Sequence, residues 1–247
     1  MKGRRSIAAV LVIAACSASL VNGGNISPSA IARASGHVQK AERVLRKGDL
    51  ERAGALYRKA LKVVDSLPEA HIGLGNIAMR ESRYQAALGS YQHARGSYAK
   101  IHGALDDYRN AQWANAQRTM QEIRDKILML QNPATSRGDA RYQISKLENE
   151  LQRLESSQPP VRGAVSGPPA AIFFYIGNAN FRLNRLDEAI EAWETCVEGE
   201  PNFAVVFNNL ALAYWKKGEL GRARNSLLHA ETLGFTVDPR FKADLDR

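Results

Sequence analysis

The sequence predicts an all-α fold of stacked helix–turn–helix units, and three observations carry that expectation. Residues 34–67 written above 68–101 fall into register at a spacing of 34: Ala53 meets Ala87, Tyr57 meets Tyr91, Ala60 meets Ala94, and Leu50 meets Tyr84. Residues 170–203 lie over 204–237 in the same way, with Gly177 over Ala211, Leu186 over Leu220, Ala189 over Ala223, and Phe173 over Phe207. Fixed offsets of small residues at such a period mark repeats that bury their apolar faces by stacking. The prolines, Pro28, Pro68, Pro133, Pro159, Pro160, Pro168, Pro169, Pro201 and Pro239, all fall at or outside the expected helix ends, where a missing N–H costs nothing. No run with the period of a strand accompanies them.

Each unit has the same internal logic. Two helices crossing closely need little side chain at the crossing, and Gly75, Gly177 and Ala211 stand there on first helices, Ala87, Ala189 and Ala223 on second helices. Tyr57, Tyr91, Trp193 and Leu227 then fill the wedge beside them. The turns read Lys47-Gly48-Asp49, Glu81-Ser82-Arg83, Leu183-Asn184-Arg185 and Lys217-Gly218-Glu219. Gly or Asn there supplies the left-handed residue that ends a helix. The first unit departs most, with Lys40 and Ala41 in place of Leu74 and Gly75. The set Phe173, Ile176-Gly177, Phe181, Ala189, Trp193, Cys196, Pro201 resembles the tetratricopeptide repeat, as does Leu74-Gly75, Ala78, Ala87, Tyr91, Ala94. That resemblance implies a solenoid that binds other proteins and brings no chemistry of its own.

Taken in order, the chain opens on a basic Met1-Lys2-Gly3-Arg4-Arg5 and an apolar run from Ile7 to Ala15, the composition of a secretory signal peptide over 1–15. Ile13-Ala14-Ala15-Cys16 resembles a bacterial lipobox, which implies lipidation of Cys16. Cleavage after Ala18 is the rival reading. Ser17 is not the acidic residue that retains such proteins at an inner membrane, so the expectation is a periplasm-facing outer-membrane lipoprotein, or else a soluble periplasmic or secreted protein. Residues 16–33 read as a tether and 34–100 as units one and two. A seam of Trp113, Ala116, Met120, Ile123, Ile127 and Leu130 follows, then the breaker 132–138 with Asp139 as N-cap, then Ala140, Ile144, Leu147, Leu151 and Leu154. Alternating steps of 3 and 4 are a coiled-coil pattern, so 101–157 reads as a helical hairpin, folded on itself or paired as a homodimer through 113–154. Residues 158–169 are a Pro/Gly linker, 170–236 hold units three and four, and a capping helix at 237–247 starts at Asp238-Pro239.

Composition fits a globular exported chain. Of 247 residues 45% are hydrophobic and 24% charged, and losing Lys2, Arg4 and Arg5 takes the formal net charge from +9 to +6. A basic balance admits acidic proteins and anionic lipid as partners, while export removes nucleic acid. With Cys16 set aside, Cys196 alone remains, at the position of Ala60, Ala94 and Ala230, and reads as a small buried residue. No metal or cofactor is expected: His37, His71, His93, His102 and His229 lack ligand spacing, and no phosphate loop or nucleophile elbow occurs. Gly73-x-Gly75 reads as helix packing. The chain is not read as an enzyme.

The resemblance places a concave groove along the first helices. Equivalent positions there are Arg46, Arg80, Arg182 and Lys216, all cationic, preceded by Leu45, Met79, Phe181 and Trp215, all large and apolar. One turn earlier lie Glu42, Asn76, Asn178 and Leu212, and Asn208 joins the candidate set. Such a groove suits an acidic and apolar peptide segment, with Asn76 and Asn178 bonding its backbone. The alternative is that the large residues pack repeat on repeat and the cations are solvated. The functional expectation is a cell-envelope adaptor, as tetratricopeptide lipoproteins serve secretin assembly, outer-membrane protein insertion or cell-wall enzymes. The rivals are a structural protein self-assembling through the central seam and a regulatory subunit of an envelope enzyme.

Overall fold

The computed structural model describes residues 26–132, 139–157 and 168–245. Among them every regular element is an α-helix: α1 Pro28–Arg46, α2 Leu50–Val63, α3 Pro68–Arg80, α4 Tyr84–Gln131, α5 Ala140–Ser156, α6 Ala170–Arg182, α7 Leu186–Gly199, α8 Ala204–Lys216, α9 Leu220–Thr232 and α10 Pro239–Leu245. The expected signal peptide, Cys16 and most of the linker lie outside the described residues. The described residues up to 101 and from 168 on form one compact unit, and those between form a second.

Within the first unit the helices pair as the period requires, α1 with α2, α6 with α7 and α8 with α9. All four turns contain a residue in the left-handed region: Gly48 (φ 87°), Ser82 (φ 59°), Asn184 (φ 57°) and Gly218 (φ 77°). Small residues do at the crossings what their size demands. A Cβ added to Gly75 would sit 2.4 Å from the Tyr91 ring, and one on Gly177 would sit 2.4 Å from Trp193. Gly73 is equally tight, at 2.2 Å from the Tyr57 ring, so Tyr57 reaches past its own repeat onto the next.

The second and third repeats are 68 residues apart in sequence yet pack directly. Ala78, Ala87, Leu88, Tyr91 and Ala94 share one core cluster with Ile172, Ile176, Ala179 and Ala192. The Tyr91 and Tyr175 rings stack at 5.3 Å, and the Arg185 guanidinium donates to Gln85 Oε1 at 3.1 Å. The first unit is therefore one solenoid of four repeats, broken in sequence and continuous in packing. Cys196 is buried in its core, and burial pushes its thiol up to about 11.

Two boundaries correct the sequence reading. Helix α1 starts at Pro28, so 28–33 belong to the first repeat and not to a tether; Ser27 caps it by accepting the Ala30 N–H, and Ile31 is buried. The second helix of repeat two does not stop near residue 100 but runs on to Gln131 as part of one 48-residue helix. Asp139 occupies the expected N-cap position of α5, without a side-chain hydrogen bond to the helix backbone. Beyond Ser157 only the last two linker residues, Pro168 and Pro169, are described.

In the second unit the Arg124 guanidinium meets Glu155 at 2.8 Å, tying the end of α5 back to α4. Met120 and Ile123 are buried, whereas the α5 seam residues Ile144, Leu147, Leu151 and Leu154 are half-buried. Leu128, Met129 and Tyr142 stand exposed.

The last repeat ends as expected in a short helix. Leu245 of α10 is buried in the cluster that holds Leu227. The Arg224 guanidinium donates to the Leu245 carbonyl at 2.9 Å through Nε, which pins α10 to α9. Phe241 packs edge-on against Trp215 at 5.8 Å.

Candidate functional site on the first-helix face

Helices α1, α3, α6 and α8 each end in a cation, Arg46, Arg80, Arg182 and Lys216, and all four are exposed. Basic groups in a last turn meet the negative end of the helix dipole, which accounts for their helical position. Their spacing across repeats brings them into each other's neighbourhood. The Tyr57 phenol is pushed up to about 12 by burial and by Glu42, against the opposing pull of Arg46 and Arg80 together. Arg182 lies over the Tyr84 ring at 5.8 Å, and Lys216 over Phe181 at 5.5 Å. Among the described residues none of the four forms an ion pair. They are a ladder of charge without carboxylate partners of their own.

The apolar stripe beside them is differently used. Met79 packs against the core joining repeats two and three. Phe181 lies against Trp193 at 5.6 Å, and Trp215, still 37% exposed, meets Phe241. These residues hold repeats together first and offer only their outer edges to a ligand. The asparagines are also partly engaged. The Tyr91 hydroxyl donates to Asn76 Oδ1 at 2.8 Å, and Asn209 Nδ2 donates to Asn178 Oδ1 at 3.0 Å. Each keeps its side-chain N–H groups for a peptide carbonyl. Asn208 is half-buried on α8.

The structure adds residues that the repeat pattern did not single out. Tyr175 and Asn209 occupy the first-helix position at which Gly73 meets Tyr57, so one site is in turn a gap, a stacked ring and a hydrogen-bonding amide. A cleft of about 340 Å³ between α7, α8 and α9 is lined by Glu194, Phe207, Tyr214, Arg222 and His229. There the Tyr214 hydroxyl donates to Glu194, while Arg222 lies over the Tyr214 ring at 4.2 Å. Burial, reinforced by Glu194, holds the Tyr214 phenol well above its ordinary value. Among the described residues no group of three or more His, Cys, Asp or Glu is placed to hold a metal ion. No described helix is long and apolar enough to cross a membrane.

Three family models match: a tetratricopeptide repeat over 38–100, a TPR repeat over 177–218, and a tetratricopeptide repeat over 204–233. The chain is a tetratricopeptide-repeat protein. The matched spans bracket the 34-residue register on both sides of the insertion. No curated protein sequence matches it. Among solved structures it is similar to one described as the functional characterization of Pseudomonas aeruginosa pilF, at 18% identity over 86% of this chain and 81% of that one, TM-score 0.37. It is similar to PilW, described as a widely conserved type IV pilus biogenesis factor, at 14% identity over 85% and 81%, TM-score 0.39. It is also similar to YrrB, described as having an unusual peptide-binding site, at 20% identity over 85% and 90%, TM-score 0.31. Likenesses at these scores carry no weight for function. The repeats themselves do: a tetratricopeptide-repeat protein is an interaction module, generally non-catalytic, whose partners are peptides and other proteins.

Proposed function

We propose that this protein is an adaptor of the bacterial cell envelope that docks an acidic segment of another protein along α1, α3, α6 and α8. The observation that carries the reading is the ladder Arg46, Arg80, Arg182 and Lys216, repeated at the end of each first helix, exposed, and among the described residues without ion-pair partners. The exposed edge of Trp215 and the remaining N–H groups of Asn76 and Asn178 supply contact area and backbone hydrogen bonds. Opposite charge across such a surface sets approach rate and specificity more than affinity. Envelope placement rests on the signal-like residues 1–15 and the lipobox-like Ile13-Ala14-Ala15-Cys16.

Reversing two rungs with Arg182→Glu and Lys216→Glu tests the site. Both are exposed, so circular dichroism and melting should change little. Capture of an envelope protein carrying an acidic segment should fall about tenfold or more in equilibrium binding, and wild-type binding should weaken as salt rises. Unchanged capture by the folded variant would place the binding surface elsewhere.

A further inference from the structure

The positive charge of this chain is concentrated in its first repeat. Residues 26–67 carry nine basic and four acidic side chains, a net +5, whereas residues 68–247 carry 22 and 21. Among the described residues none of the nine forms an ion pair. Three of them, Arg33 and Lys40 on α1 and Lys62 on α2, surround an open depression of about 640 Å³. His37 lines it too, and its Nδ1 is buried with no hydrogen-bond partner on the protein. Arg33, Lys40 and Lys62 are exposed, and Val63 beside them is 37% exposed.

Position on the chain narrows the ligand. The depression begins five residues into α1, and α1 follows the N-terminal segment directly. Cys16 stands twelve residues before Pro28, so a lipid on Cys16 would keep the start of α1 within about 43 Å of the bilayer, given at most ~3.6 Å per residue. An open, shallow surface ringed by flexible cations meets a sheet of phosphates without needing a shaped pocket, and basic residues near an anionic surface each add attraction. We propose that the basic end face of the first repeat is a contact surface for the anionic headgroups of a phospholipid membrane. The proposal rests on the anchored reading for its placement, not for its chemistry.

The test uses the chain from Ser17 onward, which contains every described helix and carries no lipid, with vesicles of phosphatidylcholine made with and without phosphatidylglycerol. Co-sedimentation should occur only with phosphatidylglycerol and should fade as salt rises. Arg33→Glu with Lys40→Glu and Lys62→Glu should weaken it by more than roughly 100-fold, since about fivefold goes with each cation lost and each reversal adds a repelled charge. The neutral triple Arg33→Gln, Lys40→Gln, Lys62→Gln should lose less and keep the wild-type circular dichroism, and Arg182→Glu with Lys216→Glu should bind vesicles as wild type does. Failure to bind phosphatidylglycerol, equal binding by the charge-reversed triple, or equal binding to both vesicle types would overturn the proposal. So would a triple variant that keeps vesicle binding but loses capture of an acidic protein. Fatty-acid labelling of the full chain against its Cys16→Ser variant reads the anchor separately, so the two ideas fail independently.

Discussion

The first and last repeats face the same problem, an apolar solenoid end exposed to water, and they meet it differently. At the C-terminal end the chain supplies α10, which buries Leu245 and covers part of Trp215. Three of its cations are tied down: Lys217 to Asp187 at 2.6 Å and Glu219 at 2.8 Å, Arg222 to Glu194 at 3.1 Å, and Lys242 to Glu231 at 2.7 Å. At the N-terminal end no such helix is described. Lys40 stands where the second repeat has Leu74, and the outer face of α1 and α2 presents cations to solvent. A polar outer face is the other way to end a stack of repeats. The difference teaches that one end is closed by packing and the other is left charged and available.

The contrast breaks most visibly under substitution at the two ends. Leu245→Ala empties a buried position at the closed end and should cost about 2–3 kcal/mol in melting or denaturant experiments. Lys40→Leu restores the apolar residue of an internal repeat at the open end. It should leave stability within about 0.5 kcal/mol while promoting end-to-end association, seen as a concentration-dependent larger species on sizing. Equal destabilisation by the two would mean that the open end is packed as the closed one is.

A smaller effect separates the ends by pH. Hydrogen bonds from Lys217 and Arg222 hold the Glu219 carboxyl below its ordinary value. Its contribution is therefore complete above the ordinary carboxylate value and is lost as pH falls through the lowered one. Hydrogen exchange in α9 should rise modestly on acidification below about pH 4, and Glu219→Gln should flatten that dependence. Helix α1, without such pairs, should not share it.

Much of this was legible in the residues, and the remainder has physical reasons. Gly75, Gly177, Tyr91 and Trp193 announced the crossings because a residue without Cβ is needed there and is conspicuous in a chain. Gly48, Gly218 and Asn184 announced turns. Ser82 did not, because serine enters the left-handed region only where the surrounding helices impose it. Ser27-Pro28 was a helix start in plain view, obscured by the Ser, Asn, Gly and Ala around it. The length of α4 was hidden by Gly89, Gly96 and Gly103, which lower helix propensity but are tolerated within the continuous helix. At the groove, the cations could be read from period and residue type. The bonds Tyr91–Asn76 and Asn209–Asn178 could not, since each depends on how two helices turn toward one another. The charge of the first repeat was countable but disappeared in a whole-chain average.

Comparing two ends presumes that there are only two. If repeats two and three did not pack on each other, the chain would hold two short stacks with four ends, and the cation ladder would be cut in half. The direct measurement is a double-mutant cycle on Tyr91→Leu and Tyr175→Leu, the rings stacked at 5.3 Å across the junction. Coupling of about 0.5–1.5 kcal/mol in denaturant unfolding, with one cooperative transition for residues outside 102–166, is the predicted result. Additive losses within about 0.3 kcal/mol, with two separate transitions, would contradict a continuous solenoid.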